Sequence, residues 1–190
     1  MKLKIIIIVI IASLLFPFAS HAWNEPDNFM GIKFWHEIEE SIKRCESQRS
    51  WEGANGAPCF LPYEAERGVY DIRAIAPTGL NFRYIKAHTI SKKFAMLDLE
   101  SSQEFFSQTF VIFQERYGKP TRITTETWTS QAGISVPNQV VLWEGKRISI
   151  VIRQRGASAD WSQVVYDTDL WRANSGRLLN ESIKKAAKGL

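Results

Sequence analysis

The chain has 190 residues, with 24 Lys and Arg against 20 Asp and Glu, a formal net charge of +4. That near-balance lacks the concentrated basic face that nucleic acid requires, so nucleic-acid binding is excluded as a leading reading. The length suits a single domain with a substantial core.

Lys2 and Lys4 precede an apolar run from Ile5 to Phe18, followed by Ser20-His21-Ala22. A basic n-region, an apolar h-region and small residues before the cut are the parts of a secretory signal peptide. The run is shorter than the ~20 residues of a spanning helix, and Pro17 lies near its end. The expectation is a leader over 1–22, cleavage near Ala22, and a periplasmic or secreted chain with no later membrane-spanning segment. Loss of Lys2 and Lys4 brings the charge of the mature chain to +2.

Cys45 and Cys59 are the two cysteines, with thirteen residues between them. In an oxidising compartment an even pair reads as a disulfide, here closing a loop that stabilises by roughly 3 kcal/mol. A redox pair would favour Cys-x-x-Cys, and zinc would need further ligands nearby.

Phe29–Trp35 reads as a strand. Ile38, Ile42 and Cys45 stand at helical spacing, predicting a short amphipathic helix over 36–45 with the disulfide on its last turn. Gly, Asn and Pro through 46–68 predict a long surface loop. Val69–Ala76 alternates as a strand, and two more are expected near Phe82–Ile85 and Phe94–Leu97, ending at Asp98-Leu-Glu100.

The stretch from Ser101 to Arg153 carries the clearest signals. Ser101 and Glu104 have capping-box spacing. Phe106, Phe110, Phe113 and Tyr117 form one helical stripe, and Gly118 with Pro120 ends it. Thr121–Thr129 is β-branched and alternating, a strand. Ala132–Asn138 reads as a loop. Gln139–Glu144 and Lys146–Arg153 flank Gly145 as a hairpin, with Ile148, Ile150 and Ile152 on one face. Gln154–Asp160 is a turn and Gln163–Asp169 a last strand. Residues 172–190 form a tail with a weak helical stripe of Leu178, Leu179, Ile183 and Ala187.

These elements predict an α+β domain over 23–171. Its antiparallel sheet carries two helices on one face and is built from two β-α-β-β units. The order Gly31-Ile-Lys-Phe34 then helix, and Tyr117-Gly-Lys-Pro-Thr121 then strands with Trp143-Glu-Gly145, resembles small uncharacterised bacterial envelope domains. Their architecture is similar to that of the β-lactamase inhibitor protein and of the small lipoprotein of the outer-membrane barrel assembly machinery. The resemblance implies a binding or accessory role and assigns no residue a function. The chain departs from the lipoprotein in having no cysteine at the cleavage site.

Catalytic motifs are missing from the sequence. His36-Glu37 starts a His-Glu-x-x-His motif, but Glu40 occupies the second histidine position. His36 and Glu40 have no evident third ligand, and His88 lies at a polar strand end. No nucleophile elbow or phosphate loop occurs, and no cofactor, metal or catalytic residue is expected. Glu37, Glu39 and Glu40, like Asp167 and Asp169, read as solvated surface. The remaining feature is aromatic. Trp51 and Trp161 fall in expected loops beside Arg49 and Arg155, a composition that suits a protein or glycan contact. The leading expectation is an exported, non-catalytic binding or accessory protein of the envelope, with an envelope protein or glycan as partner. A small hydrolase of glycan or peptide, or an inhibitor of a secreted enzyme, stands as the alternative. Oligomeric state is left open.

Overall fold

The computed structural model describes residues 23–47 and 57–188. The expected leader over 1–22, Arg49 and Trp51 lie outside those residues. Eleven strands and three α-helices follow in order. They are β1 (Asn28–Phe29), β2 (Ile32–Lys33), α1 (Ile38–Ser41), β3 (Lys43–Arg44), β4 (Cys59–Glu64), β5 (Val69–Arg73), β6 (Tyr84–Ile90) and β7 (Lys93–Ser102). Then come α2 (Phe106–Tyr117), β8 (Arg122–Thr129), β9 (Ser135–Trp143), β10 (Ile148–Arg153), β11 (Trp161–Thr168) and α3 (Asp169–Lys188).

Nine strands make one sheet in the order β3-β4-β5-β6-β7-β11-β10-β9-β8. Only β3 and β4 run parallel. The order is two antiparallel meanders, β4 to β7 and β8 to β11, joined through their last strands. Seven residue pairs from Trp161–Ser102 to Asp167–Met96 make that joint.

Alternation decides the faces. Leu97, Leu99, Val164, Tyr166, Ile148, Ile150, Ile152, Val141 and Trp143 turn one way and are buried. The stripe on α2 covers this side: Phe106, Phe113 and Tyr117 are buried, with Phe110 packed beside them. Tyr166 is fully buried, and its ring meets Phe29, Phe34, Phe113 and Tyr117. Its hydroxyl lies 3.0 Å from that of Tyr117, so each polar end inside the aromatic cluster is satisfied. Burial pushes the ionisation of Tyr166 well above the ordinary tyrosine range.

Several local expectations are corrected. Phe29–Trp35 is a miniature hairpin rather than one strand. Met30 and Gly31 take φ of 53° and 83°, the pair of positive values a tight two-residue turn needs. The helix expected over 36–45 shrinks to four residues. Ile42 is already extended, and Lys43 and Arg44 pair with Cys59 and Phe60. Helices this short gain little from propensity, so the strand pairing wins.

The disulfide Cys45–Cys59 is formed. It ties the end of β3 to the start of β4, not a helical turn. Part of the expected loop over 46–68 is therefore β4. Pro62 is accommodated because β3 has already ended and the register breaks between Pro62 and Glu64.

The capping box also fails. Ser101 stays in β7, opposite Ser162 and 1% exposed, and no side chain caps the start of α2. A 3₁₀ turn over Gln103–Phe105 makes the transition instead. The helix does end at Tyr117 with Gly118 at φ 80°.

In the second meander, β9 starts at Ser135, so the expected loop over 132–138 is mostly strand. Val136 and Pro137 pair with Trp128 and Thr127. Trp161 belongs to β11 rather than to a loop, and α3 takes in Asp169 to Trp171 as well as most of the tail. Leu178, Leu179 and Ile183 on it are more than half exposed. No described helix is long and apolar enough to cross a membrane.

The segment after Trp23 fastens the β9–β10 turn. Glu25 accepts hydrogen bonds from the backbone N–H groups of Lys146, Arg147 and Ile148. Burial alone would raise its pKa, but those three donors outweigh burial and hold the carboxyl below the usual range. Gly145 has no room for a side chain, since a Cβ there would strike the Ile148 carbonyl, Glu25 and the Trp23 ring.

The α2 stripe generates a direct test of the core. Phe113→Ala, at a position 1% exposed, is expected to cost about 3–5 kcal/mol in urea unfolding. A loss under about 1 kcal/mol would mean that the ring does not hold α2 to the sheet.

Candidate functional site

The face of the sheet away from the core is half-buried and chemically mixed. Directly opposed residues in neighbouring strands share a face, so the pairing defines rows. One row runs Asp71, Lys86, Asp98, Val165, Val151, Leu142. The next runs Tyr84, Glu100, Gln163, Arg153, Val140. The first meander thus supplies acids, a lysine and tyrosine, and the second supplies aliphatic side chains with Gln163 and Arg153.

Asp98 and Glu100 lie two residues apart on β7, near the middle of the sheet. Glu100 is only 5% exposed. Arg83 and Tyr84 donate to its two carboxylate oxygens at 3.4 and 3.3 Å. Asp98 accepts from the Gln163 amide at 3.0 Å. Burial pushes the Asp98 pKa up, and the Glu100 charge adds to the rise against the Gln163 hydrogen bond. Tyr84 is raised well above the usual tyrosine value, by burial first and then by the Asp98 and Glu100 charges.

Cations lie over aromatic rings around this pair. The Arg83 guanidinium stands 4.4 Å from the centre of the Trp161 ring. The Lys86 ammonium stands 4.5 Å from Tyr63 and 5.1 Å from Tyr84. Tyr63 is 55% exposed. Such contacts hold the rings in place electrostatically.

The residues singled out from the sequence fall as follows. Trp161 opens β11 with Arg83 as its cation. Arg155 turns to β9, donating from its side chain to the Pro137 carbonyl and from its backbone N–H to Asn138 Oδ1. The two side chains flank the same turn and serve different partners. Arg49 and Trp51 lie outside the described residues. Cys45 and Cys59 are spent in the disulfide.

Sequence reasoning missed Asp98, Glu100, Arg83, Lys86 and Tyr63. A signal was present: Leu97 and Leu99 alternate with Asp98 and Glu100, which puts two acids on one face of a continuing strand. Treating Asp98–Glu100 as a strand end hid it.

His36 Nδ1, just ahead of α1, is 3.5 Å from Glu40, and both side chains are exposed. His88 packs edge-on to Trp171, and its pKa is lowered by burial and then by Lys86. Among the described residues no three His, Cys, Asp or Glu gather as a metal set. Cavities of about 560 and 460 Å³ lie by Glu39, Lys43, Arg44 and the disulfide end of the sheet. One of about 340 Å³ lies between Arg44, Tyr63, Asp71 and Arg73. Asp98 and Glu100 line none of these three, while a smaller cavity of about 80 Å³ is lined by Asp71, Arg73, Arg83 and Tyr84 beside them. Comparison of the chain with protein-family models, curated proteins and solved structures finds no match.

A carboxylate held at a raised pKa costs stability once it ionises. Its contribution is present below the unfolded pKa and is lost as pH rises through the folded one. Asp98→Asn removes that loss. The variant is expected to melt no lower than wild type at pH 7, with its relative advantage shrinking as pH falls towards 4. A variant less stable than wild type at pH 7 would show that the ionised carboxylate supports the fold.

Proposed function

We propose that this chain is an exported, non-catalytic binding or accessory module of the bacterial envelope, and that the outer sheet face is its contact surface. The leader-like residues 1–22 support export, and the Cys45–Cys59 bridge is the cross-link an oxidising compartment favours. The observation that carries the binding reading is the arrangement around Glu100. A carboxylate pair, Glu100 buried and Asp98 half-buried, is kept in the middle of a sheet beside two cation-stacked aromatic patches. A face needed only to meet water gains nothing from burying two like charges. An envelope protein or glycan suits such a surface, because Trp and Tyr offer flat apolar area and the Arg and Lys groups offer directional donors.

In this reading α1 with β4–β7 and α2 with β8–β11 are two similar units, with both helices covering the core side. Ile38 of α1 and Phe113 of α2 are buried in the same apolar core, which supports it. The opposite side of the sheet is left for recognition beyond the end where Trp171 and Arg172 of α3 meet His88, Ser149 and Asp167.

The test is affinity capture from the cell envelope by the mature protein, compared with a Tyr63→Ala plus Trp161→Ala variant of matched far-UV circular dichroism. Loss of specific partners in the variant is the expected result. Identical capture by both proteins would remove the outer face from the interaction.

A further inference from the structure

We propose that β8 is a dimerisation edge on which a second copy of this chain pairs antiparallel, about a two-fold axis through Thr124. This edge borders the outer sheet face, onto which Arg122 and Glu126 turn, and the proposal does not rest on that reading. The sheet ends in two strands, β3 and β8. β3 has two residues, whereas β8 has eight, each paired with β9 from Arg122–Leu142 to Thr129–Ser135 without a register break. One side of β8 therefore carries unpaired N–H and C=O groups along roughly 26 Å.

Sheet proteins normally blunt such an edge with proline, a bulge, charged side chains or a very short strand. β8 has no proline, bulge or lysine, and its two charges, Arg122 and Glu126, are of opposite sign. Its sequence is Arg-Ile-Thr-Thr-Glu-Thr-Trp-Thr, and Ile123 is 49% exposed. The irregularities that the sheet does contain lie in the β4–β5 and β6–β7 pairs, away from this edge.

The charges on β8 select the occupant and the register. Arg122 and Glu126 share a face and are exposed, and neither has an ion-pair partner among the described residues. Antiparallel pairing centred on Thr124 sets Arg122 opposite Glu126 of the second copy, and Glu126 opposite its Arg122. Ile123 then faces Thr125. Centring on Arg122 or on Glu126 would oppose like charges, and centring on Thr125 would leave both charges unmatched. The contact is the same patch on both copies, as a closed two-fold pair requires.

The experiment is sedimentation velocity on the mature, disulfide-intact protein from micromolar to near-millimolar concentration. Wild type is expected to dimerise with concentration. Arg122→Glu, which sets Glu against Glu twice, should weaken the dimer by roughly tenfold or more. The exchange Arg122→Glu with Glu126→Arg should restore it. Should Arg122→Glu fail to fold, Glu126→Arg carries the same test. A monomer at every concentration overturns the proposal. So does a dimer indifferent to all three variants, which would place the contact elsewhere, such as the exposed Leu178–Ile183 face of α3.

Discussion

The structure depends on the pairing of β7 with β11. Each meander taken separately ends in a strand with an open edge, and neither has a complete apolar layer. Joining the last strands removes both edges at once. It also sets Leu97 and Leu99 beside Val164 and Tyr166, which makes a continuous buried surface. Tyr166 then collects rings from two distant parts of the chain: Phe29 and Phe34 from the amino-terminal side, Phe113 and Tyr117 from α2. The hydroxyl pair between Tyr117 and Tyr166 gives this cluster a directional contact that a purely aliphatic core would lack.

The same pairing builds the outer face. Asp98 and Glu100 alternate with Leu97 and Leu99, so the register that buries the leucines also turns the acids outward. Gln163 is brought opposite Glu100 and hydrogen-bonds Asp98. Trp161 arrives opposite Ser102, where Arg83 can lie over its ring. A slip by one residue would exchange the two faces and destroy core and candidate site together. Long-range fastenings reinforce the arrangement. Glu25 holds the β9–β10 turn, Trp35 donates to Asp169 at the start of α3, and Thr168 donates to the Ala95 carbonyl.

Local pattern carried much of this information. The Phe106–Tyr117 stripe, the Thr-rich β8, the hairpin around Gly145 and the isoleucine row of β10 were legible because each is long, periodic and bounded by turn residues. The cysteine pair was legible from its number and context. What could not be read were outcomes of competition between local and distant partners. Ile38, Ile42 and Cys45 fit a helix, yet two strand residues and a disulfide outbid the extra turn. Ser101 and Glu104 fit a cap, yet Ser101 is held by its neighbour Ser162 on β11. Trp161 was found as a candidate from composition. Its cation was not, because Arg83 is 78 residues away in sequence and meets it only through the β7–β11 register. Asp98 and Glu100 escaped notice for the same reason: acids on one face of a strand acquire meaning only when that strand is known to be central.

Native-state hydrogen exchange followed by residue tests the central dependence most directly. If the β7–β11 joint holds the two meanders as one body, amides at Leu97, Leu99, Val164 and Tyr166 should exchange slowest. They should do so at the free energy of global unfolding, with inner strands of both meanders protected alongside them. One meander exchanging through an opening that leaves the other protected, with the joint amides released early, would contradict the account.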